Sequence, residues 1–198
     1  CGVSRDGSKA SAMLAAARLR ALGYSDVSVF RDGLQGWIAA GGEVFRDVNV
    51  PSKSFGELVE SKRHTPSLSA EEVQSLIEAK ADVVIVDARR FDEYQTMSIP
   101  TAVSCPGAEL VLRVPDLAPR PDPRLIVNCA GRARSIIGTQ SLINAGLPNP
   151  VSALRNGTIG WTLAGQTLDK GQQRQAGAPA PSSVTVAARR AQDVANRA

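Results

Sequence analysis

The chain has 198 residues, of which 43% are hydrophobic, and its 23 Lys and Arg against 19 Asp and Glu give a formal net charge of +4. This length allows one or two small domains with a hydrophobic core. The excess of basic over acidic residues is small, and the basic residues are dispersed along the chain, which argues against a nucleic-acid partner. No apolar run approaches the roughly 18 residues of a membrane-spanning helix, so no membrane partner is expected. Three cysteines without a paired framework favour a reducing compartment, and we expect a cytoplasmic protein.

The first 42 residues predict a helix, a strand and a second, shorter helix. Ser8 or Ser11 is suited to cap the first helix, which ends at Gly23. Residues 27–30 predict a short strand, and Trp37 begins the second helix.

Residues 43–66 are typical of a linker, because they contain Pro51 and Pro66 and only a short amphipathic stretch, residues 55–59. The only histidine, His64, stands among basic residues, and nothing near it has metal-ligand spacing. We therefore predict no metal site and no cofactor.

Strands and helices alternate from residue 67 to residue 165, which predicts an α/β fold with a mainly parallel sheet covered on both faces. Ser69 and Glu72 have the spacing of a capping box at the first helix. Further elements are predicted, in chain order, as a strand at residues 83–86, a helix at 90–96, a strand at 102–104, a helix at 109–114, a strand at 125–128, a helix at 135–145 and a strand at 151–154. Residues 171–183 then predict a flexible or extended linker, and residues 184–197 a helix.

The stretch LIVNCAGRARSII, residues 125–137, places the thiol of Cys129 between a buried strand and the start of a helix. Backbone N–H groups of such a loop can form an anion-binding nest, and a helix N-terminus adds unpaired donors and about half a positive charge. Arg132 and Arg134 add two guanidinium groups, and no carboxylate partner stands near them in the sequence. A core position would not hold two such groups unpaired, so we interpret Cys129 as a nucleophile in an anion pocket rather than as a core residue. Cys105 is predicted to be an ordinary buried cysteine, the alternative being a resolving thiol for Cys129.

The C-x-x-x-x-R-S pattern from Cys129 to Ser135 resembles the active-site loop of the rhodanese (sulfurtransferase) family. Further motifs follow the family's order, namely Asp87-Ala88-Arg89 after a strand, Glu93-Tyr94, Ile99-Pro100 with Pro106-Gly107, and Asn156-Gly157-Thr158-Ile159-Gly160-Trp161. The resemblance covers roughly residues 67–165, one module. It implies a rhodanese-like three-layer fold with a central, mainly parallel sheet flanked by helices.

The resemblance also implies sulfur transfer through a persulfide on Cys129, from thiosulfate or a similar anionic donor to a thiophilic acceptor such as cyanide or a thiol. The residues predicted to bind substrate are Ala130, Gly131, Arg132, Ala133, Arg134, Ser135 and Arg89. An ion pair between Asp87 and Arg89 is also predicted, and Glu93 is expected to face the pocket.

Two other functions stay open at this point. One is a non-catalytic rhodanese-like interaction or sulfur-carrier module. The other is a Cys-dependent phosphatase, which generally places its arginine one residue later, where this chain has Ser135.

Residues 27–37 recur as residues 151–161 at a constant offset of 124 (151 minus 27). Upstream of this repeat the offset is 123, which aligns Cys129 with Asp6 and Arg134 with Ser11 (129 minus 123; 134 minus 123). We therefore predict that residues 1–42 are the C-terminal part of an inactive rhodanese-like module, residues 43–66 a linker, residues 67–166 the catalytic module, and residues 167–198 a linker with a possible helix. The chain is then a fragment of a tandem protein whose other modules are partners of the active one.

Overall fold

The computed structural model describes residues 9–42 and 51–196 and divides the chain into two compact units, Cys1–Val48 and Asn49–Ala198. The positions predicted for Asp6 and Ser8 lie outside the described residues. Across the two described ranges, none of the helices combines the length and the apolar character that crossing a bilayer requires.

The first unit contains helix α1, Lys9–Ala21, and helix α2, Gly33–Ala39. Both predicted helices are confirmed, although α2 begins four residues before Trp37 (37 minus 33). The strand predicted at residues 27–30 is wrong, because these residues have no regular secondary structure. A strand requires a neighbour to pair its backbone groups, and residues 9–42 contain no other strand.

The second unit is built on a five-stranded sheet in which every pair of neighbouring strands is parallel. The strands are β1 (Ser67–Leu68), β2 (Val83–Asp87), β3 (Val103–Ser104), β4 (Arg124–Asn128) and β5 (Val151–Leu154), in the spatial order β1-β5-β4-β2-β3. Strands β2 and β4, which the sequence predicts, are near-continuous apolar runs. Such runs are typical of a parallel sheet that helices cover on both faces. Strand β4 lies at the centre, and four of its five residues are buried.

Helices cover both faces of this sheet. They are α3 (Pro51–Arg63), α4 (Ala70–Glu78), α5 (Phe91–Thr96), α6 (Leu110–Leu117) after a 3-10 turn at Gly107–Glu109, α7 (Ala133–Asn144), α8 (Gly157–Leu163) and α9 (Pro181–Ala195). Leu125 and Val127 of β4 belong to one core cluster, whereas Ile126 between them packs in the other cluster with Trp161. The alternation places one core on each face of the sheet, so the predicted three-layer α/β fold is confirmed.

The capping box predicted at α4 is present. The Ser69 N–H donates to Glu72 Oε2 at 2.6 Å, and the Glu72 N–H donates to Ser69 Oγ at 3.2 Å. The local sequence therefore determines where α4 begins.

Two segments of the predicted linkers, residues 51–66 and the chain after α8, are packed parts of the second unit. Helix α3 is much longer than the amphipathic stretch of residues 55–59, and its Gly56 is buried against Ala133 of α7. After α8 the chain is extended, and Asp169 and Gln175 form bridges with Ser98 and Ser104 beside β3. The division of the chain into a catalytic module and linkers stays a prediction.

Candidate active site

Cys129 is the first residue after β4, and its side chain is 2% exposed. It therefore lies at the carboxyl edge of the sheet, beside its central strand, where open α/β sheets bind their ligands. Residues 129–132 form the Cys129 loop, which connects β4 to the first residue of α7, Ala133.

The N–H groups of residues 130–135 make no hydrogen bond with any residue that the structure describes. The first backbone bond of α7 runs from the Ile136 N–H to the carbonyl of Arg132, at 3.0 Å. The N–H donors of the loop and of the first helical turn are thus available to a bound anion beside Cys129.

The carbonyl groups of the loop are held on the other side, by the start of α8. The Thr158 N–H and the Thr158 hydroxyl both donate to the carbonyl of Cys129, at 2.8 and 3.0 Å. The Ile159 N–H donates to the carbonyl of Ala130 at 3.0 Å. These bonds direct the carbonyl oxygens of residues 129 and 130 toward α8. The anion pocket therefore contains N–H donors rather than carbonyl acceptors.

Gly157 allows this close approach of α8 to the loop. Its φ is +53°, and a Cβ at this position would lie 2.2 Å from the carbonyl oxygen of Cys129. Asn156 also has a positive φ, +59°. The backbone conformation at these two positions therefore explains the Asn156-Gly157 pair of the sequence motif.

The thiol of Cys129 has one side-chain partner among the described residues. Its Sγ donates to Ser135 Oγ at 3.4 Å, and Ser135 Oγ donates to the carbonyl of Arg132 at 2.9 Å. Because a hydroxyl can rotate, the same serine is able to donate to the sulfur once the thiol has ionised.

Arg134 is bound by Glu93 of α5 in a two-pronged ion pair, with Nη1 and Nη2 donating to the carboxylate at 2.7 and 2.8 Å. Hydrogen bonding to Glu93 raises the pKa of Arg134, and the negative charge of Glu93 adds to the effect. The same bond to Arg134 lowers the pKa of Glu93. Glu93 thus binds Arg134 in the first turn of α7, and its predicted orientation toward the pocket stays a prediction.

Arg132 is directed away from Arg134, toward α3. Its Nε and Nη2 donate to Glu57 at 2.7 and 3.1 Å, Nη2 also contacts Glu60, and Nη1 donates to Asn156 Oδ1 at 3.4 Å. The bond to Glu57 is the main cause of a raised pKa of Arg132. The sequence argument that these guanidinium groups lack carboxylate partners is therefore wrong, because the partners come from α3 and α5.

Arg89 forms the predicted ion pair with Asp87. Its Nε and Nη2 donate to the carboxylate at 2.9 and 2.8 Å, Nη2 also donates to the carbonyl of Met97 at 2.5 Å, and the side chain is 4% exposed. Asp87 also accepts a bond from Asn128 Nδ2 at 2.8 Å. The pair fixes the ends of β2 and β4 next to Cys129, and the predicted contribution of Arg89 to substrate attraction stays a prediction.

Four further residues contribute to this site, and the sequence analysis did not identify them as site residues: Asn128, Thr158, Glu57 and Glu60. Asn128 immediately precedes Cys129, and Thr158 lies inside the Asn156–Trp161 motif, so both have a local signal in the sequence. Glu57 and Glu60 lie three residues apart and share a helix face, but nothing local connects them with Arg132.

Cys105 differs from Cys129 in its surroundings. It is fully buried, and burial raises the pKa of its thiol to about 12. The prediction of an ordinary buried cysteine is confirmed, and Cys105 and Cys129 are both free thiols.

Comparisons with known proteins agree with this geometry. The family model described as "Rhodanese-like domain" matches residues 69–164. The crystal structure of a thiosulfate sulfurtransferase from Pseudomonas aeruginosa is 68% identical, with a TM-score of 0.74, over 96% of this chain and 36% of that one.

Two further proteins are similar over shorter stretches. The HTH-type transcriptional regulator Rv0324 of Mycobacterium tuberculosis is 32% identical over 90 residues, which is 46% of this chain and 39% of that protein. A protein of unknown function from Rhodopseudomonas palustris, described as a possible tyrosine phosphatase, shares the fold at 24% identity and a TM-score of 0.51, over 64% of this chain and all of that one. The chain thus spans little more than a third of the Pseudomonas and Mycobacterium proteins.

Proposed function

Because residues 69–164 of this chain belong to the family of rhodanese-like domains, we propose that the chain is part of a sulfurtransferase that works through a persulfide on Cys129. The observation that carries the proposal is the nucleophile loop itself. A buried thiol lies at the carboxyl edge of the sheet, beside N–H groups that have no acceptor among the described residues. The similarity, at 68% identity, to a thiosulfate sulfurtransferase supports thiosulfate as the donor.

In the first half-reaction the thiolate of Cys129 attacks the outer sulfur of thiosulfate. The sulfur–sulfur bond of the donor breaks, sulfite leaves with the electron pair, and a persulfide stays on Cys129. The N–H groups of residues 130–135 and the guanidinium of Arg134 bind the donor's oxygens and stabilise the charge on the departing sulfite. Arg89 is buried in its pair with Asp87, and two carboxylates of α3 bind Arg132, whereas Arg134 is half exposed and has the single carboxylate of Glu93. We therefore assign Arg89 and Arg132 to the support of the site.

In the second half-reaction a thiophilic acceptor, cyanide or a thiol, attacks the outer sulfur of the persulfide. The new bond forms as the bond to Sγ breaks, and the Cys129 thiolate is regenerated. Donor and acceptor thus react in turn at the same sulfur, so the kinetics are expected to be ping-pong. Free thiols at Cys105 and Cys129 suit a reducing setting, and we place the protein in the cytoplasm.

We also propose that residues 1–42 are the end of a second, inactive module and that further modules of the same protein are its partners. Helices α2 and α8 begin 124 residues apart (157 minus 33) and have the same length of seven residues. The residue before each helix has positive φ, +58° at Asp32 and +59° at Asn156. The repeated sequence therefore has a repeated backbone.

Mass spectrometry of the intact protein tests the persulfide mechanism. After thiosulfate we expect a gain of one sulfur atom, about 32 Da, on Cys129, and after cyanide its loss with formation of thiocyanate. The variant Cys129→Ser is expected to gain nothing, although it keeps the buried Cys105. An unchanged mass with Cys129 still open to alkylation would contradict the proposal and favour the interaction or sulfur-carrier module, and hydrolysis of p-nitrophenyl phosphate by the wild type would favour a phosphatase.

A further inference from the structure

Helix α3 lies before the family-matched residues in the sequence, yet its side chains contact the loop that holds Cys129. Glu57 and Glu60, on one face of α3, both bind the guanidinium of Arg132. Glu57 accepts from Nε and Nη2 with its two carboxylate oxygens, which fixes the plane of the guanidinium as well as its position.

The backbone of α3 also touches the start of α7. A Cβ added to Gly56 would lie 2.8 Å from both Cα and Cβ of Ala133, closer than two carbon atoms can approach without displacement. Arg132 and Ala133 are consecutive residues at the junction between the Cys129 loop and α7. The junction is therefore held by α3 through a close backbone contact at Ala133 and an ion-pair cluster at Arg132.

A short series of contacts connects this junction with the nucleophile. The carbonyl of Arg132 accepts hydrogen bonds from the Ser135 hydroxyl at 2.9 Å and from the Ile136 N–H at 3.0 Å. Ser135 Oγ in turn lies 3.4 Å from Cys129 Sγ. A displacement of Arg132 would move the acceptor that orients this hydroxyl and would change the first turn of α7, whose N–H groups face the anion pocket.

We propose that Glu57 and Glu60 are positioning residues of the active site: they hold Arg132, and through its carbonyl they keep Ser135 and the first turn of α7 in place around Cys129. The effect on turnover rests on the proposed sulfurtransferase function, whereas the effect on the reactivity of Cys129 does not.

The proposal and direct donor binding by Arg132 predict opposite effects of removing the two glutamates. If Arg132 is a positioning residue, loss of the glutamates and loss of Arg132 disrupt the same contact and have the same consequence. If Arg132 binds the donor, removal of the glutamates frees its guanidinium, and affinity for the anionic donor rises or stays the same.

The experiment is a mutant cycle on the full chain with three variants. The first carries Arg132→Ala, the second carries both Glu57→Ala and Glu60→Ala, and the third carries all three substitutions. Kinetics with thiosulfate and cyanide give kcat and KM, and alkylation of Cys129 by iodoacetate and by iodoacetamide gives the preference of the site for an anion. We expect kcat to fall about tenfold in each variant, with KM within about twofold and no further loss in the triple variant. The iodoacetate preference is expected to fall equally in all three.

Asp82→Ala is the matched control, because it removes the 2.7 Å ion pair between Asp82 and Arg120. Asp82 immediately precedes β2 and therefore lies at the amino edge of the sheet, opposite to Cys129. This control is expected to keep the wild-type kcat and the wild-type alkylation preference. A raised KM in Arg132→Ala together with an unchanged or lowered KM in the glutamate variant would overturn the proposal, as would additive losses in the triple variant. If the wild type takes no sulfur from thiosulfate, the proposed function fails, and the alkylation preference alone decides whether α3 positions the loop.

Discussion

At the scale of single residues, the two described cysteines show that equally buried thiols can have different surroundings. Cys129 is 2% exposed and Cys105 is not exposed at all. Cys105 is surrounded by apolar core residues, and desolvation stabilises its neutral form. Cys129 is followed by backbone N–H groups that have no acceptor among the described residues. The two thiols thus differ in the donors around them rather than in their exposure.

The charge of Arg134 leads to a prediction about donor use. Arg134→Ala should lower kcat/KM for thiosulfate about 100-fold, because it removes a charged donor from the place where sulfite develops its charge. Arg155→Ala is the matched control, since Arg155 is exposed, donates to Ser67 Oγ at 3.3 Å and recurs as Arg31 in the repeat. We expect the control to stay within about twofold of the wild type in steady-state assays. Equal losses in the two variants would contradict the assignment of Arg134 to the pocket.

At the scale of elements, the geometry of the site depends on how α8 contacts the Cys129 loop. The first N–H groups of α8 would otherwise lack partners, and they bind the carbonyls of Cys129 and Ala130. These bonds therefore give partners to the first N–H groups of α8, and they also fix the backbone of the loop that precedes α7.

Gly157→Ala tests this junction. The added methyl group would meet the carbonyl of Cys129, and the residue would keep its positive φ, so we expect a loss of more than about 2 kcal/mol in the free energy of unfolding and a large loss of sulfur transfer. Gly165→Ala, after the end of the same helix, has φ +75° and open space around it. Urea denaturation should give a loss of about 1 kcal/mol for this control, with unchanged activity. A Gly157→Ala variant as stable and active as Gly165→Ala would exclude a tight contact between α8 and the loop.

The elements that could be predicted from the sequence are those with local signals. The capping box at Ser69 and the apolar runs of β2 and β4 are examples, since both depend on residues close in the chain. The error at residues 27–30 has the opposite cause, because a strand exists only through its neighbours. The role of α3 could not be predicted either, since Glu57 meets Arg132 across 75 residues and its own sequence indicates only a short amphipathic stretch.

At the scale of the whole molecule, stability depends on pH through carboxylates that are hydrogen-bonded in the folded state. The pKa of Glu71 is lowered by a backbone N–H and by Ser69, that of Glu93 by Arg134, and that of Asp116 by Ser183 and Ala180. Asp116 connects α6 to the start of α9, so these groups act in different parts of the second unit. Each lowered pKa means that the unfolded chain binds more protons than the folded one in the acid range.

The stabilising contribution of these groups is complete above their ordinary pKa values, 4.5 for Glu and 3.8 for Asp, and is lost as the pH falls through the lowered values. The urea midpoint of the wild type should therefore decrease on acidification below these values. Glu93→Gln should be less stable than the wild type at neutral pH, with the difference vanishing in acid. Glu78→Gln, whose partner is the neutral Gln74, is the control and should follow the wild type. A constant difference between Glu93→Gln and the wild type at every pH would contradict this.

The bonds from α8 to the Cys129 loop also make the geometry of this loop depend on a late part of the chain. The carbonyl of Cys129 is held by a residue 29 positions later, beyond β5. We therefore expect the loop of a chain shortened after Leu154 to lack these hydrogen bonds, because their donors belong to α8.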